Sequence, residues 1–152
     1  PRLSSFHTLH PDIDLRLQTT DKDLDLAEEG ISLGIRRGGG IWAGYNCELV
    51  AQEVLFPVAS PRLAEVYGDE LGLNDLITKN LIHLEEPYRP RPTWKEWFSS
   101  QEIDFMGSGK GLRLNDYALV IQAAMAGEGI ALGWRHIVEP LIEQKLLARV
   151  GH

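Results

Sequence analysis

The chain has 152 residues, a formal net charge of −7 and 43% hydrophobic residues. This length suits one domain or two small lobes, and the apolar content is enough for a packed core. The negative charge argues against this chain gripping a nucleic-acid backbone, which needs clustered Lys and Arg. No apolar run approaches the roughly 20 residues of a membrane span. The single cysteine, Cys47, excludes an internal disulfide and is typical of a reducing compartment. We therefore expect a soluble, cytoplasmic α/β protein.

The first fifty residues predict a helix followed by a strand–helix–strand unit. Alternating apolar and polar residues from Ile13 to Leu17 indicate a half-exposed or edge strand. Gly30 stands where the next helix would end. The predicted elements are a helix over 1–10, a strand over 13–17, a helix over 23–29 and a strand over 31–35. Because a helix opens the chain with no strand before it, we expect the first strand of this lobe to be missing.

The middle of the chain carries strong helix-capping signals. Ser60-Pro61 is typical of an N-cap followed by proline at the first helical position, and the residues from Thr93 to Glu96 match the capping-box pattern. The helix after Thr93 is predicted to present Trp94, Trp97 and Phe98 to the core. The predicted elements are an extended run over 49–59, a helix over 62–67, a strand over 81–84 and the helix after Thr93. The polar pair Gln52-Glu53 indicates that the run passes from one lobe to another.

The stretch from 111 to 135 predicts a complete strand–helix–strand unit. A short strand leads to Asn115-Asp116, which offers two good N-cap side chains. The helix from Tyr117 to Ala126 is apolar at almost every position except Gln122, so we expect it to be covered on most of its surface. Gly127 ends it, and the run from Ile130 to Trp134 is a buried strand. A helix over 137–145, with Pro140 in its first turn, and a strand over 146–150 complete the prediction.

In open α/β sheets, ligands bind beyond the carboxyl ends of the strands. That rule, applied to the predicted strands, selects candidate ligand contacts at Thr19, Thr20, Arg36, Asp116, Trp134 and Arg135, with Ser60 and His83 close by. Helix N-termini and arginine favour an anion, and a carboxylate in particular. Asp116, Glu85 and Glu86 would repel a simple anion. We therefore expect a ligand with both a negative and a positive group, such as an amino acid or a similar zwitterion.

Other chemistries are less well supported by the residue patterns. Arg36-Arg37 followed by three glycines lacks the Gly-Lys-Ser/Thr ending of a phosphate loop. The five histidines show no paired spacing, so we expect no metal and no cofactor. Ser60, His83 and Asp116 provide the residue types of a catalytic triad, but no nucleophile-elbow motif accompanies them, so a triad is not expected. Glu85-Glu86 is better interpreted as part of a solvated loop than as an acid/base pair, since the side chains of neighbouring residues usually point apart.

The residues resemble the effector-binding domain of LysR-type transcriptional regulators, especially the subgroup of the glycine-cleavage activator. The resemblance covers nearly the whole chain, and no single motif is diagnostic, but the ordered set is fairly specific. The matching segments are 10–17, 25–30 with 34–38, 53–58 with Ser60-Pro61, 115–119 and 127–134.

This resemblance implies two Rossmann-like lobes of the periplasmic-binding-protein type 2 fold, joined by crossing strands, with a small effector between them. It places lobe I, incomplete, at 1–52 and lobe II at 53–150, with a crossing strand near 147–150. It implies a homodimer or tetramer. DNA would be bound only by a winged helix-turn-helix that this chain lacks. The family usually takes effector contacts from the turn after that first strand, so those contacts are not assigned to residues of this chain.

The leading functional hypothesis is therefore a cytoplasmic, non-enzymatic sensor of a small carboxylate or amino-acid-like effector that regulates transcription, with no membrane partner. A solute-binding protein of the same architecture is one alternative, although it would need export. A small α/β enzyme acting on an anionic substrate is the other, and it would require a perturbed titratable group beside a partner in the cleft.

Overall fold

The computed structural model describes residues 3–20, 24–86, 91–107 and 111–151. The chain divides into two compact units, Pro1–Arg37 and Gly38–His152. The lobe boundary at 52–53 stays a prediction.

The first unit contains the predicted opening helix, α1 (Leu3–Leu9), which buries none of its residues. The predicted strands over 13–17 and 31–35 are wrong, because no strand is formed within 3–20 or 24–37. The predicted helix over 23–29 is reduced to a turn at 26–30 in its described part; Asp23 lies outside the described residues. Asp25 Oδ1 accepts the Ala27 and Glu28 backbone N–H groups over 2.9 and 3.2 Å, and Gly30, with φ of 64°, ends the turn.

The second unit carries all the strands of the described chain. Its elements are β1 (Leu55–Ala59), α2 (Pro61–Tyr67), a 3-10 helix (Leu73–Thr78), β2 (Ile82–Leu84), α3 (Trp94–Ser100), β3 (Leu112–Leu114), α4 (Tyr117–Ala126), β4 (Ala131–Trp134), α5 (Arg135–Glu143) and β5 (Ala148–Arg149). The sequence did not predict the 3-10 helix. No helix of the described ranges is long and apolar enough to cross a lipid bilayer.

The strands run in two directions. β1 pairs antiparallel with both β4 and β5, whereas β2 pairs parallel with β3. A parallel bridge between Leu81 and Ile130 brings β2 beside β4. The Ile82 N–H donates to the Ile130 carbonyl and the Ile130 N–H donates to the Asn80 carbonyl, each over 2.8 Å. The carboxyl ends of β2, β3 and β4 therefore share one edge, and the predicted strand–helix–strand unit at 111–135 is confirmed.

Helices cover both faces of the sheet, because β1 and β4 are apolar at every position and successive side chains of a strand point to opposite faces. One core cluster joins α2, α3 and the 3-10 helix to the sheet and includes Leu76, Phe98 and Leu132. The predicted core face of α3 is confirmed, since Trp94, Trp97 and Phe98 are 2%, 8% and 0% exposed. The other cluster joins α4 and α5 to the opposite face.

Local capping chemistry fixes the helix starts. Ser60 Oγ accepts the Leu63 N–H at the start of α2. The predicted capping box of α3 is present, with Thr93 and Glu96 each accepting the other's backbone N–H. Asp116 caps α4 by accepting the Ala118 and Leu119 N–H groups over 2.7 and 3.2 Å. Gly127 ends α4 in the left-handed region, as predicted.

Three further predictions need correction. The extended run over 49–59 forms a strand only from Leu55 onward, because a pairing partner, Trp134 in β4, is met there. α5 starts at Arg135, so Pro140 is its sixth residue rather than part of its first turn; the chain passes from β4 straight into this helix, with Trp134 as the N-cap residue. α4 is not covered on most of its surface: it buries three residues, and Leu119 is 47% exposed.

Candidate functional site

A cavity of about 210 Å³ opens where β2, β3 and β4 end. β2 and β3 place Leu84 opposite Leu114, and the Glu85 N–H continues the ladder to the Leu114 carbonyl over 2.7 Å. The cavity is lined by strand residues, by the start of α3 and by one face of α4. Its lining comprises Ile82, His83, Leu84, Glu85, Pro92, Thr93, Trp94, Lys95, Phe105, Gly107, Arg113, Tyr117, Val120, Leu132 and Trp134.

The aromatic walls of this cavity have their polar groups bonded to the protein itself. The Trp94 indole N–H donates to the Ile82 carbonyl over 2.9 Å. The Trp134 indole N–H donates to Glu53 Oε1 over 2.6 Å. The rings of Tyr117 and Trp134 meet edge to face, with centroids 4.4 Å apart. These walls therefore offer ring carbons, and not hydrogen-bond donors, to a ligand.

Tyr117 is held by two backbone contacts. Its hydroxyl oxygen accepts the Trp134 backbone N–H over 2.9 Å, and the hydroxyl donates to the Leu132 carbonyl over 3.4 Å. Burial disfavours the charged phenolate and raises the pKa of Tyr117 to about 12, although the hydrogen bond from Trp134 acts in the opposite direction. Tyr117 is therefore a neutral structural clamp between α4 and β4 at physiological pH.

Charged side chains of both signs stand at the mouth of the cavity. Arg113, opposite His83 in the β2–β3 ladder, forms an ion pair with Glu85, and their side chains are 45% and 56% exposed. Arg91 bonds Glu86 over 2.8 Å and lies 5.7 Å from the centroid of the Trp134 ring. The mouth thus combines guanidinium and carboxylate groups beside an apolar interior.

The structure brings some of the predicted site residues together. His83 and Trp134 both line the cavity. Asp116 follows β3 and Arg135 follows β4, so both lie at the same edge of the sheet, although neither lines the cavity. Asp116 uses its carboxylate to cap α4. Their roles as effector contacts stay predictions.

Ser60 lies elsewhere. β1 runs antiparallel to β4, with Val58 opposite Ala131 at the start of β4, so Ser60 emerges at the edge opposite to Trp134. A Cβ placed on Gly127, at the far end of α4, would stand 3.3 Å from Ser60 Oγ. The expected proximity of Ser60 to His83 and Trp134 is therefore wrong, because strand direction cannot be deduced from a local sequence pattern. Thr19, Thr20 and Arg36 belong to the first unit, and their contribution stays a prediction.

The sequence argument did not propose most of the lining residues as contacts, among them Arg113, Tyr117 and Phe105. One sequence signal could have identified Arg113 as a candidate contact, since it is a charged residue within a predicted strand, directly before the predicted ligand-binding edge. Glu85 was considered only as half of an acid/base pair with Glu86. In the structure each of these glutamates instead bonds its own arginine.

Other features of the described chain are weaker candidates. A shallow cavity of about 280 Å³ lies beside the end of α3, between Lys95 and Phe105. Among the described residues, no cluster of three His, Cys, Asp or Glu side chains is placed to hold a metal ion.

Comparison with known proteins identifies the family. A family model described as the LysR substrate binding domain matches residues 1–151. The chain belongs to this family. It is 31% identical over 143 residues to the glycine cleavage system transcriptional activator of Escherichia coli K12. The aligned region covers 94% of this chain and 46% of that protein. It is 32% identical over 133 residues to the transcriptional activator AmpR of Pseudomonas aeruginosa, covering 87% and 43%. The chain thus spans about half the length of these relatives.

Solved structures agree. The effector domain of AmpR from Pseudomonas aeruginosa superposes with a TM-score of 0.71 at 28% identity, covering 98% of this chain and 69% of that one. The AmpR effector-binding domain of Citrobacter freundii gives a TM-score of 0.72 at 25% identity, covering 98% and 72%. The predicted resemblance and the periplasmic-binding-protein-like type 2 α/β fold are confirmed.

Proposed function

We propose that this chain is the ligand-sensing domain of a LysR-type transcriptional regulator and that a small carboxylate or amino-acid-like effector binds where β2, β3 and β4 end. The observation that carries the proposal is the cavity at that edge, with an apolar interior and charged groups of both signs at its mouth. The similarity of the chain to effector domains of transcriptional regulators supports the assignment. In an α/β sheet, this edge is also the usual place for a ligand.

The proposal extends to the complete regulator. Effector binding in this domain biases a DNA-binding module elsewhere in the protein, which works in the cytoplasm as a homodimer or tetramer. A bound ligand shifts such an equilibrium only by its differential affinity for the two states. The exposed apolar residues Leu9 on α1 and Leu119 on α4, 75% and 47% exposed, are candidate contacts between copies.

We assign no catalytic step to the cavity. A general base acting near neutral pH needs a pKa close to that pH. The shift of Tyr117 runs in the opposite direction, because burial raises its pKa to about 12. The Thr93 hydroxyl is engaged by Glu96, to which it donates over 3.0 Å. Both groups therefore serve the architecture of the site rather than proton transfer.

A thermal-shift panel of amino acids and organic acids tests the proposed function. A ligand at 100 times its Kd stabilises the folded state by about 2.7 kcal/mol, which corresponds to a rise in Tm of roughly 5–10 °C for a chain of this size. We expect at least one compound to reach this range. Arg113→Ala, in the lining of the cavity, should reduce the shift, whereas Arg62→Ala, on α2, should preserve it. A panel in which no compound raises Tm contradicts the proposal.

A further inference from the structure

The interior of the cavity is formed by buried aromatic rings whose indole N–H groups are already hydrogen-bonded. Trp94, Phe105 and Trp134 are 2%, 5% and 5% exposed, and both indole N–H groups are already bonded within the protein. Val120 and Leu132 add aliphatic surface to the wall, and His83, Thr93 and Lys95 also line the cavity. A charged or hydroxylated group inserted between these side chains would lose its hydration without gaining partners from the indole groups, which is unfavourable. The interior therefore favours an apolar group of a ligand over a charged or hydroxylated one.

The volume limits the size of that apolar group. An apolar protein cavity of about 150 Å³ holds a benzene molecule, so the space of about 210 Å³ accommodates a branched aliphatic chain or a single ring. Drug-sized ligands occupy pockets of roughly 300 Å³ or more. The interior of the cavity thus fits one apolar side chain, no larger than a single ring.

Charged side chains of both signs line the cavity, namely Lys95, Arg113 and Glu85. Arg113 on β3 forms an ion pair with Glu85, the residue that follows β2, and both side chains are half exposed. A guanidinium has five N–H donors and a carboxylate has about four acceptor positions, so each partner retains capacity for a further hydrogen bond. An anion alone would meet Glu85, and a cation alone would meet Arg113. A zwitterion satisfies both groups.

From these observations we infer that the cavity binds a free α-amino acid with an apolar side chain no larger than one ring. The side chain enters between Trp94, Val120 and Trp134. The carboxylate of the ligand binds Arg113, whose fork suits bidentate contact, and its ammonium group binds Glu85. This inference deepens the proposed function and rests on it.

L-phenylalanine and three partial analogues test the inference by isothermal titration calorimetry on the 152-residue chain. The analogue 3-phenylpropanoate lacks the ammonium group, phenethylamine lacks the carboxylate, and glycine lacks the side chain. Hydrogen bonds to charged groups contribute about 1.5–3 kcal/mol. We therefore expect L-phenylalanine to bind at least tenfold more tightly than each analogue. Equal binding of glycine or of 3-phenylpropanoate overturns the inference.

Matched variants locate the contacts. Arg113→Gln and Glu85→Gln should each weaken the binding of L-phenylalanine about tenfold or more, whereas Arg62→Gln on α2 should leave it unchanged. Val120→Phe should fill the cavity and abolish binding, with Val66→Phe, an exposed position on α2, as its control. Unchanged binding in Val120→Phe or in both rim variants overturns the inference.

A measurement on the unsubstituted protein covers the case in which Val120→Phe fails to fold. Intermolecular NOEs between the ring protons of bound L-phenylalanine and the methyl groups of Val120 and Leu132 are expected. Their absence from a saturated sample overturns the inference. If L-phenylalanine does not bind but an organic acid stabilises the chain, the inference fails and the proposed function stands; if no compound binds, both fail.

Discussion

Trp134 donates its indole N–H to Glu53 Oε1 over 2.6 Å, and this bond joins the end of β4 to the segment that leads into β1. The same indole ring walls the cavity and packs edge to face against Tyr117. A displacement of the segment before β1 would therefore move one wall of the cavity, which gives ligand occupancy a physical route to the rest of the domain.

A double-mutant cycle of Glu53→Gln and Trp134→Phe measures this contact. Because Glu53 is exposed, water competes for the bond, and we expect a coupling free energy of about 1 kcal/mol in urea unfolding. Glu48→Gln, on the same segment, should change stability by less than about 0.5 kcal/mol. A coupling energy indistinguishable from zero would show that the bond does not stabilise the fold.

Tyr117 should make the stability of the protein depend on alkaline pH. Its folded-state pKa of about 12 lies above the ordinary value near 10, so the native state favours the neutral phenol. The resulting stabilisation, about 2–3 kcal/mol, is fully present below pH 10 and is lost as the pH rises through 12.

Tyr117→Phe removes this titration. At neutral pH the variant should be less stable by about 1–3 kcal/mol, because the Trp134 N–H loses its acceptor. Between about pH 9 and 12 the wild-type protein should lose stability more steeply than the variant, so the two curves converge. Chemical unfolding across this range measures both curves, and parallel curves would refute the assignment.

Asp116 should contribute to stability as a helix cap whatever its role toward a ligand. Asp116→Ala removes the acceptor of two backbone N–H groups and should cost about 1 kcal/mol in thermal unfolding. Asp116→Asn keeps an acceptor oxygen and should recover most of that loss. Equal destabilisation by both substitutions would mean that the negative charge, and not the capping geometry, matters.

The part of the fold that the sequence predicted well is encoded locally. The bounds of α4 follow from Asp116 at one end and Gly127 at the other, and both caps act within a few residues. The start of α3 follows in the same way from Thr93 and Glu96. Alternation over 13–17, by contrast, predicts only which face is apolar. A strand also needs a hydrogen-bonded partner, which a local pattern does not supply.

The edge at which the candidate cavity lies was predicted, but most of its lining was not. The rule for strand carboxyl ends located the edge with His83 and Trp134. It misplaced Ser60, because the antiparallel direction of β1 arises from its pairing with β4. Arg113 and Glu85 become partners only through the parallel pairing of β2 with β3, which joins residues 28 positions apart.

Mapping of amide chemical shifts on the uniformly ¹⁵N-labelled chain, titrated with the panel of amino acids and organic acids, tests the central claim most directly. We predict that a stabilising compound moves the backbone signals of Glu85, Arg113 and Trp134 together with the Trp134 indole N–H. The signals of Ser60 and Leu63, at the opposite edge of the sheet, should stay in place. Shifts that cluster around Ser60, or no shifts where β2, β3 and β4 end, would contradict the proposed effector site.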